Sequence, residues 1–212
     1  MTRIAVAAFD FDGTLTRADS VMPFMYRVGG RRRLILGLVR RAPSVIVALA
    51  RRDRDRLKAL ATAAVFRGVP RARIEELAVE HGRSIALGGL RDDVVARVRW
   101  HLERGHRVVI VSASYEPYVR VVAETLGITD VIATRLALGA DGVCTGQLHG
   151  RNCRAEEKVR RLERWLSEGG CTRDGIELWA YGDSAGDRAL LAWADHPVWV
   201  QDTLDSVAPA SA

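Results

Sequence analysis

The chain has 212 residues, enough for one sizeable core or for a core with a small inserted unit. Hydrophobic residues make up 48% and charged residues 27%, a globular balance that leaves disorder as an expectation only for the small, polar tail from Ser206. The net charge of +6 is unevenly placed: eleven Arg/Lys and two Asp between Arg27 and Lys58 give that stretch +9 and leave −3 for the rest. A basic lobe on a slightly acidic body suits a phosphorylated substrate, an anionic lipid or a nucleic acid, or else is a solvated helical face.

Cys144, Cys153 and Cys171 make no CxxC pair, which argues against a disulfide framework or zinc cluster and for free thiols in a reducing cytosol. No uncharged run reaches the ~18 residues of a membrane span. The nearest approach, Leu34 to Ala50, is broken by Arg40, Arg41 and Pro43. The apolar run at the N-terminus ends at Asp10 without a cleavage pattern, so a cytoplasmic enzyme is expected rather than a secreted one.

In chain order, Ile4 to Phe9 reads as a buried parallel strand. From Thr16 to Gly88 the pattern is helical, punctuated by Pro23, Gly29-Gly30, Pro43, Gly68-Val69-Pro70 and Gly88-Gly89 into about four helices. A helix over Asp92 to Glu103 follows, then a strand over Arg107 to Val111 and a helix over Pro117 to Leu126. Leu136 to Leu148 has the turn residues of a hairpin. A helix over Ala155 to Ser167, a strand over Ile176 to Tyr181, a helix over Asp187 to Trp193 and a short strand over Pro197 to Val200 complete the chain. Alternating strands and helices predict an α/β, Rossmann-like parallel sheet, formed by residues 1–16 and 89–212, with an all-helical unit of residues 17–88 inserted after the first strand.

Parallel sheets of this kind bind ligands beyond the carboxyl ends of their strands, which directs attention there. The first strand ends in Asp10-Phe11-Asp12-Gly13-Thr14. Alternation along extended backbone turns Asp10 and Asp12 to one side and Phe9 and Phe11 to the other. Two neighbouring carboxylates repel each other, so they need a divalent cation or a retained proton, and the latter makes a general acid. Gly13 lets backbone approach a ligand. The second strand ends in Val111-Ser112-Ala113-Ser114, whose hydroxyl and amides can hold phosphate oxygens or cap a helix. The third ends in Gly182-Asp183-Ser184-Ala185-Gly186-Asp187, a second carboxylate pair of the hard-oxygen type that suits magnesium, or an Asp-capped turn. Lysine is scarce: among 32 cationic residues only Lys58 and Lys158 are lysines. A lysine against an arginine background marks a place that wants a compact point charge, or an ordinary exposed helix residue.

These residues resemble the motifs of the haloacid dehalogenase superfamily. Asp10 to Thr16 is similar to its first motif, Ser112 to its second, Lys158 to its third, and Gly182 to Asp187 to its fourth, in the family's order. The helical insertion, Ser112 to Ser114 and Gly150-Arg151-Asn152-Cys153 resemble the phosphoserine phosphatase-like branch with its helical cap. The resemblance implies Asp10 as a nucleophile that forms an aspartyl-phosphate, and Asp12 as the acid and base. It implies magnesium held by the Asp10 carboxylate, the Asp12 carbonyl and Asp183, with Asp187 in support. Lys158 and Ser112 would bind the phosphoryl group, joined by Gly13, Thr14 and Ala113. Asp19 stands where the phosphoserine enzymes carry the glutamate that holds the substrate amine.

The expected substrate is a small phosphorylated metabolite. The basic, apolar stretches of the insertion also resemble branch members acting on lipid phosphates, so a peripheral anionic membrane surface is a second expected partner. Nucleic acid is not expected, because the basic stretch lacks interleaved aromatics.

Overall fold

The computed structural model describes residues 3–200, and the polar tail expected from Ser206 lies outside the described residues. The run Ile4–Phe9 forms β1, at the centre of a five-stranded parallel sheet. The other strands are β2 (Arg107–Tyr115), β3 (Asp130–Thr134), β6 (Ile176–Gly182) and β7 (His196–Trp199), in the order β3-β2-β1-β6-β7. Alternation decides the two cores. Ala7, Phe9, Val108, Ile110, Trp179 and Tyr181 face one side. Val6, Ala8, Val109, Val111, Leu178 and Ala180 face the other. Helices α5 (Asp92–Glu103) and α6 (Glu116–Thr125) cover the first face. Helices α7 (Glu156–Glu168) and α8 (Arg188–Trp193) cover the second with Leu162, Leu166, Leu190 and Leu191. Burial on both faces is why β1, β2 and β6 are near-continuous apolar runs.

Between β1 and α5 lie four helices: α1 (Val21–Val39), α2 (Ala42–Ala50), α3 (Arg54–Phe66) and α4 (Arg71–Gly88). Their breaks fall at the expected punctuation. Gly30 kinks α1 with φ 71°, Pro43 sits in the first turn of α2, and the Asp53 side chain accepts the Arg56 N–H at 2.9 Å to cap α3. The hairpin β4 (Leu136–Leu138) and β5 (Cys144–Leu148) packs on α3. Its backbone bonds the α3–α4 link at three points: Gly68 N to Cys144 O, Cys144 N to Val69 O, and Arg71 N to Gly142 O. The hairpin thus ties the helical insertion to the rest of the chain. All three cysteines are free, as expected.

Two elements differ from the sequence reading. β3 was not anticipated: it is a five-residue edge strand with Asp130 and Thr134 at its ends, too short and polar for a clear apolar run. β2 runs on past Val111 to Tyr115, with a register shift between Ser112 and Tyr115 against β3. Such irregularities re-aim side chains beside functional sites.

His101 of α5 is fully buried beneath the sheet, with Nδ1 2.8 Å from His106 Nδ1 and Nε2 2.9 Å from the Tyr181 hydroxyl. Burial, with the nearby His106, Arg97 and Arg104 charges, pushes its pKa down to about 3. The unfolded chain takes up a proton near pH 6.5 that the folded chain refuses. Stability therefore falls as pH drops below about 6.5, by about 1.4 kcal/mol per pH unit from this residue. Urea unfolding of the wild type and His101→Gln at neutral and mildly acid pH checks this; the variant shows the smaller acid loss, and equal losses would remove His101 as a cause.

Candidate active site

The carboxyl ends of β1, β2 and β6 meet on one side of the sheet. Asp10 follows the parity of Val6 and Ala8, towards the α7–α8 face, and is only 6% exposed. α7 sends Lys158 to meet it, and the loop before α8 sends Asp187. Lys158 Nζ lies 2.5 Å from Asp10 Oδ1 and 2.5 Å from Asp187 Oδ1, and all three side chains are buried. Ser184 holds the other Asp187 oxygen with its N–H at 3.0 Å and its hydroxyl at 2.7 Å.

Asp183 completes the group. Asp10, Asp183 and Asp187 each offer a carboxylate oxygen within 4.8 Å of the others. Three carboxylates and one ammonium leave the cluster short of positive charge. Burial raises the Asp10 carboxyl against the pull of Lys158, and Asp187 raises it further. Burial also raises Asp183, again with help from Asp187. Lys158 shifts upward in spite of burial, because both neighbours are carboxylates, so it stays an ammonium. An all-oxygen, anionic donor set with a deficit of positive charge fits a hard divalent cation such as magnesium.

Gly13 has φ 82°, and a Cβ there would run into the Asp183 carboxylate. Only glycine lets the β1 and β6 loops come this close. Thr14 is fully buried and its hydroxyl points at Asp183 Oδ1, 3.4 Å away.

The Asp12 carboxylate stands outside the trio. Oδ1 accepts the Ser20 N–H at 3.0 Å and its hydroxyl at 2.5 Å, and Oδ2 accepts the Ser114 hydroxyl at 2.6 Å. Ser20 in turn bonds the Tyr118 hydroxyl at 2.9 Å, and its carbonyl meets His81 Nε2 at 3.0 Å. Burial raises the Asp12 carboxyl in spite of its hydroxyl donors, so it holds a proton more readily than an exposed aspartate. Ser112 is buried and its Oγ accepts the Ser114 N–H at 3.0 Å. Ala113 turns its carbonyl to Lys58. Asp19 is exposed, and its carboxylate accepts the Met22 N–H at 3.0 Å at the start of α1, so this side chain is engaged in the helix terminus.

Lys58 was not singled out from the sequence, yet α3 carries it to this site. Its ammonium donates to the Ala113 carbonyl and, at 3.0 Å, to Asn152 Oδ1, and it lies 4.7 Å from the Tyr115 ring centroid. Asn152 Nδ2 donates to Asp55 at 2.7 Å, and Asn152 Oδ1 also accepts from Thr134 at 2.9 Å. Burial lowers the Lys58 pKa to about 8, with Asp12 pulling the other way. The scarcity that drew attention to Lys158 applied equally to Lys58. A cleft of about 740 Å³, bordered by Asp55, Arg56 and Asn152, opens beside this network.

The family model for haloacid dehalogenase-like hydrolases matches residues 7–192. The chain belongs to that family. The haloacid dehalogenase-like chain is 40% identical to Protein CicA of Caulobacter vibrioides over 191 residues, 90% of this chain and 83% of that one. It is 35% identical to a histidinol-phosphatase of Neisseria meningitidis over 104 residues, 49% of this chain and 47% of that one. A substrate-bound phosphoserine phosphatase structure superposes with a TM-score of 0.63 over 92% of this chain and 84% of that one, at 18% identity, a likeness of fold. The chain is thus a haloacid dehalogenase-like hydrolase with the fold of the phosphoserine phosphatases.

Proposed function

We propose that this haloacid dehalogenase-like hydrolase is a magnesium-dependent phosphomonoesterase that works through an aspartyl-phosphate on Asp10 and takes a small phosphorylated metabolite, with phosphoserine as the type substrate. The observation that carries the reading is the buried Asp10–Lys158–Asp187 contact, with Asp183 beside it.

In this reading Asp10 attacks phosphorus. Phosphorus gains a bond to the Asp10 oxygen and loses its bond to the ester oxygen. Asp12, whose buried carboxyl holds a proton more readily than an exposed aspartate, gives its proton to that leaving oxygen. The Asp12 carboxylate then takes a proton from water, which attacks the aspartyl-phosphate and frees inorganic phosphate. Lys158 offsets phosphoryl charge and holds Asp10 in place. The Asp10 and Asp183 carboxylates and the Asp12 carbonyl are the groups that would hold magnesium, with Asp187 in support. Magnesium supplies charge neutralisation for the phosphoryl oxygens. Ser112, Ala113, Gly13 and Thr14 frame the phosphoryl position, and residues 17–88 act as a cap over it. Asp19 would hold the substrate amine, although the α1 terminus already engages its carboxylate.

Lys58 is the cation through which the cap reaches the substrate's leaving group. Lys58→Met therefore raises KM about tenfold, the scale of one lost charged hydrogen bond, and changes kcat less. A fall in kcat with KM unchanged would exclude that role.

The test of the proposed function is phosphate release from p-nitrophenyl phosphate, phosphoserine, histidinol phosphate, glycerol phosphate and phosphatidylglycerophosphate in mixed micelles. Activity is expected with magnesium, absent with EDTA and restored by added magnesium. Selective release from one member identifies the substrate class; metal-independent release would refute the mechanism.

A further inference from the structure

The outer surface of the α1–α2 segment has no role in the site. Ile35, Leu36, Val39, Ile46, Val47 and Leu49 are each between 47% and 64% exposed. Helix α2 carries no charged side chain at all. These exposures do not come from loose packing beneath. Leu34 and Gly37 already fill the inward side of α1, and Gly37 lies so close to Ala64 of α3 that a Cβ would not fit. Ala48 is the buried residue of α2. The large aliphatics are left over on the outside, where a soluble monomer rarely gathers so many.

The same segment is strongly basic. Residues 31–56 contain nine arginines and two aspartates, a charge of +7. Arg31, Arg32, Arg40, Arg51 and Arg52 are exposed, and the nearest ion pair in the sequence is Arg27–Glu80, outside the segment. Cationic side chains thus flank apolar ones on consecutive helices.

This combination selects among partners. A second copy would bring +7 against +7 and repel. Nucleic acid would use the arginines but leave six aliphatics in contact with phosphate and water, and the one exposed ring of these helices, Tyr26, is already covered by Arg31. An anionic bilayer surface satisfies both halves, with arginines at the headgroups and aliphatic tips at the acyl boundary. Crossing is not available: none of the described helices is long and apolar enough. The nine residues of α2 span roughly 14 Å, against a hydrocarbon core of about 30 Å.

We infer that the α1–α2 segment docks the enzyme peripherally on anionic lipid bilayers through Ile35, Leu36, Val39, Ile46, Val47 and Leu49, with the surrounding arginines at the headgroups. This does not rest on the catalytic reading, because it predicts binding rather than turnover and leaves Asp10 out. It bears on the substrate question, since the turn after α2 leads into α3, whose Asp55 and Arg56 border the cleft.

The experiment is cosedimentation of wild type and Asp10→Asn with vesicles of phosphatidylglycerol and phosphatidylcholine in equal parts, or of phosphatidylcholine alone, at low and high salt. Both proteins pellet with the anionic vesicles at low salt, release at high salt and stay in solution with the neutral ones. The double variant Leu36→Asp, Ile46→Asp binds at least about tenfold more weakly. Arg31→Gln with Arg32→Gln weakens binding about fivefold per arginine. Unchanged p-nitrophenyl phosphate hydrolysis shows that these surface variants are folded. Failure to pellet, equal pelleting with neutral vesicles, undiminished binding by the Asp double variant, or equal affinity for soluble polyglutamate would each overturn the inference. So would a dimer in light scattering that the Asp double variant abolishes, without vesicle binding by the wild type.

Discussion

Replacing Asp10 with Asn lowers turnover by at least about 10⁴-fold, the scale seen when a covalent nucleophile is removed, while the chain stays folded. The change is nearly isosteric, and Lys158 keeps its second partner, Asp187, at 2.5 Å. The electrostatics make the stability outcome specific. In the wild type three carboxylates share one ammonium; burial raises the Asp10 and Asp183 carboxyls, and the neighbouring Asp187 adds to both. Replacing the buried carboxylate with a neutral amide removes its desolvation cost and its repulsion with Asp187, so without divalent cations the variant melts no lower than the wild type. Magnesium then stabilises the variant less than the wild type, because the donor set is weaker. Phosphate-release kinetics and melting curves with and without magnesium check each part. Retained turnover would refute Asp10 as nucleophile; a large loss of stability would show that its charge holds the fold.

The opposite result is expected at the neighbouring position. Lys158→Met keeps the length of the side chain but strands Asp10 and Asp187 in a buried site. Breaking a buried ion pair from one side costs about 3–5 kcal/mol. For a chain of this length that lowers the melting temperature by roughly 10 °C. Turnover falls as well, since phosphoryl charge and Asp10 lose their counter-charge. Added magnesium recovers part of the stability by supplying positive charge to the same carboxylates. Lys158→Arg separates charge from shape. The guanidinium keeps the charge, but its planar fork must fit where a compact ammonium sits 2.5 Å from each of two oxygens, with the side chain 2% exposed. Overpacking costs about 1–3 kcal/mol, and activity falls although the charge is retained. Wild-type rates and melting in Lys158→Arg would show that the site needs only a positive charge.

The two lysines also show how far local reading reaches. Scarcity alone marks both, but only the fold explains their different surroundings: Lys158 sits between two carboxylates, and Lys58 sits between a carbonyl, an amide oxygen and an aromatic ring. The first arrangement raises a lysine pKa and the second leaves desolvation to lower it.

What the sequence by itself determined were the features written in short-range pattern. The run Ile4–Phe9 and its ending at Asp10, the helix Asp92–Glu103, the hairpin and the four-helix insertion all follow from periodicity and from Gly and Pro punctuation. Strand ends in a parallel sheet then bring Asp10, Ser112 and Asp183 to one edge by topology alone. Tertiary structure decided the rest, because those partners are remote in the chain. Asp12 is held by Ser114, 102 residues away, and Ser20 meets Tyr118 across 98. Lys58 reaches Asn152 across 94. No periodicity encodes such pairs; they arise when the insertion folds back over the sheet and the hairpin bonds to its α3–α4 link. The edge strand β3 was likewise hidden, since five residues with polar ends become a strand only where β2 offers an unpaired edge.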